Sequence, residues 1–217
     1  MKKSVWTAIL ALCMTLALLP GTALAADGSS DEPYTGLGSY GIAGIVQNPA
    51  PMPFTDVTPD NWFYRDVDFV WKHYLMSGVS PTVFEPQTTT SRAMIWTVLA
   101  RMQGVQLDGS SVPWYESGRN WAMREDISDG ADPQADVTRE QLVTMLWRSA
   151  GQPAPGTEGD MNQYSDSGEV SGFAGMAVRW AVSVGLLRGY DGKLDPQGTA
   201  SRAQIAALVT RYGEFIP

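Results

Sequence analysis

Pro86-Gln87-Thr88-Thr89-Thr90-Ser91-Arg92, Pro133-Gln134-Ala135-Asp136-Val137-Thr138-Arg139 and Pro196-Gln197-Gly198-Thr199-Ala200-Ser201-Arg202 are three spellings of one heptapeptide, Pro-Gln-x-x-x-[Ser/Thr]-Arg. Self-similarity of this kind marks a repeat architecture, and the rest of the chain is read outward from it. After each Arg, apolar residues recur at +3, +6, +7 and +10. They are Ile95, Val98, Leu99 and Met102 in the first copy, then Leu142, Met145 and Leu146 in the second, where Ser149 takes the fourth place. The third copy has Ile205, Leu208, Val209 and Tyr212. That spacing predicts an amphipathic helix. A second Arg at +9 (Arg101, Arg148, Arg211) suits the helix C-terminus, and Gly104, Gly151 and Gly213 are expected to stop it.

Upstream of each anchor lies a second shared segment. Trp62 and Phe69, Trp114 and Trp121, Phe173 and Trp180 are each seven residues apart, which predicts one helical face per pair. Nine residues further on comes Gly78, Gly130 or Gly189. An aromatic-x-Asp start, Phe54-Thr55-Asp56 and Tyr164-Ser165-Asp166, opens two copies, while the second keeps only Asp108. Each copy therefore reads as helix, turn, loop, helix. From Gly to Pro the loop advances eight residues in the first copy and seven in the third but three in the second, which has no counterpart of Phe84 and Leu194.

Ser91, Thr138 and Ser201 are good N-caps. Thr138 with Gln141 and Ser201 with Gln204 make capping boxes, which Met94 breaks in the first copy. Arg92, Arg139 and Arg202 then fall at the first helical position, where a cation opposes the helix dipole at about 0.3–1 kcal/mol. Two explanations stand side by side. Each Arg reaches a neighbouring carboxylate or carbonyl and pins adjacent copies together. Alternatively each faces a groove and grips a ligand carboxylate, helped by free N–H groups of the same helix end.

The termini and the charge bound the function. Lys2 and Lys3, the apolar run Val5 to Leu19 and Ala23-Leu24-Ala25 predict a secretory signal peptide over 1–25, cleaved near Ala25. Cys13, the one cysteine, lies inside it, so the mature chain is expected to have no disulfide, thiolate nucleophile or Cys-bound metal. Without Lys2 and Lys3, 13 basic and 23 acidic residues leave a formal charge of −10. That argues against nucleic-acid partners and anionic lipid. No second apolar run approaches a membrane span. Residues 26–51, rich in Gly, Ser and Pro, read as a flexible linker.

Catalytic constellations are absent from the pattern. His73 is the one histidine, and it reads as a partly exposed structural residue at a helix end. Asp126, Asp129, Asp132 and Asp136 do not follow calcium-loop spacing and read as a solvated acidic loop. No phosphate-binding Gly loop appears, and no carboxylate pair is singled out for glycoside hydrolysis. The chain is read as non-catalytic, with no cofactor and no metal site.

The run of Phe-x-Asp, Trp, Gly-containing turn, Pro and Thr-Arg-Ala-Glu-like helix start resembles the S-layer homology (SLH) family over residues 52–217. Its three units would be 52–104, 105–151 with the shortened loop, and 161–217. The resemblance implies an all-α fold whose units form a pseudo-threefold spindle around a central helical bundle. It also implies grooves that bind a secondary cell-wall polymer or peptidoglycan-linked glycan, often through a pyruvate ketal. By position, Arg92, Arg139 and Arg202 would be groove arginines, with Asp56 and Asp166 at the Phe-x-Asp site. Trp62 and Trp114 would be aromatic walls, and Gly78 and Gly189 would admit the sugar. Copies one and three lack the acidic fourth residue of the Thr-Arg-Ala-Glu pattern. Copy two, with its short loop, is expected to be the structural one, leaving Arg139 the weakest of the three. The expected role is a secreted, wall-bound surface anchor. The alternative is a module binding a surface protein or itself.

Overall fold

The computed structural model describes residues 48–157 and 160–215. The expected signal peptide, 1–25, and nearly all of the expected linker, 26–51, lie outside the described residues. Those residues hold six α-helices and no strand, only isolated bridges. The helices are α1 (Tyr64–Lys72), α2 (Arg92–Met102), α3 (Glu116–Arg124), α4 (Arg139–Ser149), α5 (Gly175–Ser183) and α6 (Arg202–Phe215). The fold is all-α.

The helix starts form as the sequence dictates. Ser91 Oγ accepts from the Met94 N–H, and Thr138 with Gln141 closes a full capping box. Ser201 and Gln204 exchange the same two bonds, at 2.9 and 3.3 Å. Gly104 and Gly151 take φ of +67° and +80° just past α2 and α4, the left-handed conformation that ends a helix. Gly213 does not stop its helix, because α6 continues to Phe215. The aromatic pairs also differ from expectation. Trp62, Trp114 and Phe173 precede α1, α3 and α5 in turns and are 63%, 51% and 56% exposed, whereas Trp121 and Trp180 are buried inside their helices. The seven-residue spacing therefore spans a turn and a helix rather than one helical face.

Packing crosses the sequence units. α2 packs on α3, α4 on α5 and α6 on α1, with a lesser α2–α4 contact. The anchor heptapeptides close the same cycle. The N–H groups of Arg92 and Ala93 donate to the carbonyls of Ala135 and Pro133, at 2.9 and 3.0 Å. Those of Arg139 and Glu140 donate to Gly198 and Pro196, and those of Arg202 and Ala203 to Thr88 and Pro86. First unit binds second, second binds third, third binds first. Each heptapeptide thus starts one helix and caps the previous one, so the first-turn N–H groups expected to be free for a ligand are taken.

The apolar stripes fill the centre. At Arg+4 the three units contribute Trp96, Val143 and Ala206, all fully buried and graded in size. At Arg+10 stand Met102, Ser149 and Tyr212. Burial pushes the Tyr212 hydroxyl up to about 12, partly opposed by Ser149, the break in the stripe. The second arginines hold each unit's own helices together: Arg101, Arg148 and Arg211 donate to the carbonyls of Leu75, Ile127 and Leu186.

Candidate functional site: three arginine seams

Each N1 arginine lies where one unit's second helix meets the next unit's loop. The Nε groups behave alike. Arg92 Nε donates to Ala131 O at 2.8 Å, Arg139 Nε to Leu194 O at 2.8 Å, and Arg202 Nε to Phe84 O at 2.7 Å. The Nη2 groups do not. Arg202 Nη2 donates to Ser77 O at 2.6 Å, and its guanidinium lies 4.4 Å from the centre of the Phe84 ring. Arg92 Nη2 meets Asp129 Oδ1 at 2.6 Å and Ser128 Oγ at 3.4 Å. Arg139 Nη2 has a 3.5 Å contact with Arg188 O. Of the two explanations for a cation at a helix start, pinning adjacent units is thus realised at every seam. Burial lowers the pKa of Arg139, opposed by Asp195 and Asp166, and that of Arg202, opposed by Glu85 and Asp56.

The arginine of one unit faces the loop of the next, which rearranges the expected pairing. Arg139 meets the full-length third loop, and Arg92 meets the shortened second loop.

The aspartates brace the two long loops. Asp56 accepts from the N–H groups of Phe84 and Glu85, at 2.9 and 2.8 Å. Asp166 accepts from Leu194 and Asp195, at 2.8 and 2.7 Å. Burial raises the Asp166 pKa, but those N–H groups, its own N–H and Lys193 outweigh it, so the carboxyl sits below its usual range. Gly78 and Gly189 serve the same loops. A Cβ on Gly78 would strike the Phe54 ring and Val83 O, each at 2.6 Å, and one on Gly189 would strike the Tyr164 ring and Lys193 O. Arg202, Asp56 and Gly78 therefore converge on the first loop, and Arg139, Asp166 and Gly189 on the third. Trp62 and Trp114 stand outside these clusters, in edge contacts with Phe63 and Tyr115.

Two seam residues escaped the sequence reading. Glu140, 2% exposed, accepts from Ser171 N and Oγ and from Gln197 Nε2, at 2.9, 2.7 and 2.8 Å. This buried carboxylate fastens α4 to the third unit and uses the Gln of the repeated anchor. Its signal was the Glu that replaces Ala93 and Ala203 after the Arg. The other is Asp129, one residue before the aligned Gly, where the other copies have Ser77 and Arg188. His73 is buried rather than partly exposed, with Nδ1 2.8 Å from Phe69 O. Among the described residues no group of three or more His, Cys, Asp or Glu side chains could hold a metal ion.

An S-layer homology domain model matches residues 53–93 and 163–206, the first and third units through the start of their second helices. The chain carries S-layer homology domains. Such domains attach proteins to the bacterial cell surface. The chain is 27% identical over 174 residues to an endoglucanase of Bacillus sp. (strain KSM-635), covering 73% of this chain and 18% of that protein. It is 25% identical over 175 residues to an amylopullulanase of Thermoanaerobacterium thermosulfurigenes, covering 74% and 9%. It is 22% identical over 203 residues to Exoglucanase XynX of Acetivibrio thermocellus, covering 86% and 18%. The chain thus spans less than a fifth of the length of these curated relatives. The middle unit, α3 with α4, lies between the two matched segments and repeats their element order with its shorter loop. No helix among the described residues is long and apolar enough to cross a membrane.

Proposed function

We propose that this S-layer homology chain is a non-catalytic, secreted anchor that binds an acidic secondary cell-wall glycopolymer, such as a pyruvylated glycan, at its inter-unit seams. Three units, 52–104, 105–151 and 161–217, would carry it. The observation behind this reading is the guanidinium that Nε fixes at each seam, with Nη2 of Arg139 left only a 3.5 Å contact to a carbonyl. A guanidinium set in this way suits a carboxylate. With a formal charge of −10 after the predicted cleavage, the chain as a whole repels an anionic polymer, so local arginines must provide the attraction. The exposed rings of Trp62, Trp114 and Phe173 supply apolar faces for sugar rings to stack on.

Retention on purified Gram-positive cell walls, before and after chemical removal of the secondary polymer, tests the reading. Binding is expected to be lost with the polymer, and equal retention on both preparations would refute it. Recovery of one stoichiometric protein partner, unaffected by Arg92→Ala and Arg202→Ala, would support the interaction module instead.

A further inference from the structure

We propose that Asp129 is an internal counter-carboxylate that closes the Arg92 seam to acidic ligands and leaves Arg139 as the principal acceptor. This rests on the anchor reading above and assigns its three seams different roles.

The shared Nε bonds make the seams comparable, so the Nη2 partners can be read against one another. Arg92 is saturated by a carboxylate of the same chain at 2.6 Å, and Arg202 by the Ser77 carbonyl at 2.6 Å together with the Phe84 ring. Arg139, partly desolvated, has only the 3.5 Å contact to Arg188 O. Asp129 is held in place independently, since its Oδ1 accepts from the Ala131 N–H at 3.0 Å. That N–H first, and Arg92 after it, outweigh burial and keep the carboxyl below its ordinary range, so it is charged at neutral pH. Its side chain is 70% exposed while that of Arg92 is 11% exposed. The carboxylate therefore occupies the solvent side of the guanidinium, the side from which a ligand acid would come. An incoming acid must displace an intramolecular partner whose effective concentration is on the order of millimolar or higher.

The residue before the aligned glycine sets this difference: Ser77 for Arg202, Asp129 for Arg92, Arg188 for Arg139. Arg188 adds a cation to the third loop, its Nε resting 3.2 Å from Gly185 O. Lys193 follows on the same loop. Asp166 and Asp195 lie within electrostatic reach of Arg139, but both carboxyl groups stay off its Nη2.

The test uses the whole chain with ¹⁵N-labelled arginine, following each arginine Nε–H resonance by NMR. The titrant is the methyl glycoside of a pyruvate-ketal hexose, and its carboxyl methyl ester is the control. In the unaltered protein the Arg139 signal should shift saturably with the acid and not with the ester, while Arg92 stays still. Asp129→Asn, or Asp129→Ser in imitation of the first unit, should make Arg92 respond with about tenfold tighter apparent binding. Arg188→Asp should install the same closure at Arg139 and abolish its response. An Arg92 or Arg202 response at least equal to that of Arg139 in the unaltered protein overturns the inference. So does an Arg92 signal that stays silent in both folded Asp129 variants while Arg139 responds. Each of those results leaves the anchor reading standing if walls are still retained. Silence at all three arginines, with no polymer-dependent wall retention, overturns both.

Discussion

The Arg202 and Arg92 seams are built from the same heptapeptide yet held by different forces. Arg202 enters the long first loop, is 6% exposed, and is matched by two carbonyls and an aromatic ring. The loop it enters is itself braced by Asp56. Arg92 enters the truncated second loop, which has no such brace, and an exposed Asp129 supplies the missing partner. Both arginines keep the Nε bond to a loop carbonyl, and they part at Nη2, where Arg202 meets a second carbonyl and Arg92 meets a side chain. A cradle of carbonyls gives stability, whereas a solvent-facing ion pair gives little.

The largest effect expected from that contrast is on folding. Arg202→Ala removes two charge-assisted carbonyl bonds and should destabilise the protein by about 3 kcal/mol, against about 2 kcal/mol for Arg92→Ala, which loses one such bond and a solvent-facing ion pair. Denaturant unfolding of both variants checks this, and equal losses would break the comparison. Next comes the tight packing beneath the long loops. Gly189→Ala forces a methyl group into the Tyr164 ring and should cost about 2 kcal/mol. Gly109→Ala, with nothing within 4 Å of the added carbon, should leave the denaturant midpoint in place.

The loop brace gives a smaller, pH-dependent effect. The folded-state pKa of Asp166 is depressed, so its contribution is present above the ordinary aspartate pKa and lost as pH falls through the lower folded value. Asp166→Asn should lower stability at neutral pH by about 1 kcal/mol. It should also weaken the loss of stability below about pH 4. Denaturant midpoints across that range decide it, and an unchanged acid limb would contradict the brace. The smallest effect on folding belongs to the outlying rings. Trp62→Ala and Trp114→Ala should shift stability by less than about 0.5 kcal/mol. Their wall retention should nevertheless fall if those rings stack on sugar.

Much of the fold was legible because it is local. The caps, the helical stripes, Gly104 and Gly151 follow from neighbours three or four residues apart. What escaped was the partner of each element. Periodicity marks α1 and α2 as successive helices, but nothing local states that α2 packs on α3 and α6 returns to α1. Hence the sequence assigned the short loop of the middle unit to Arg139, whereas the fold assigns it to Arg92. Asp129 looked like one member of an acidic run, and only its place beside a guanidinium from another unit sets it apart. Arg92, Arg139 and Arg202 lie at the seams, and Asp56 and Asp166 brace the long loops. Trp62 and Trp114 shared a period with helical residues yet lie in exposed turns.

The central claim is that these seams hold wall polymer, with Arg139 the least satisfied internally and so the most available. Wall retention of Arg92→Lys, Arg139→Lys and Arg202→Lys, each confirmed as folded by circular dichroism, tests it most directly. Lysine keeps the charge but loses the planar fork that pairs with a carboxylate. Arg139→Lys is expected to lose most of the polymer-dependent retention, while Arg92→Lys keeps nearly all of it. Undiminished retention in all three folded variants, or the greatest loss at Arg92, would contradict the account.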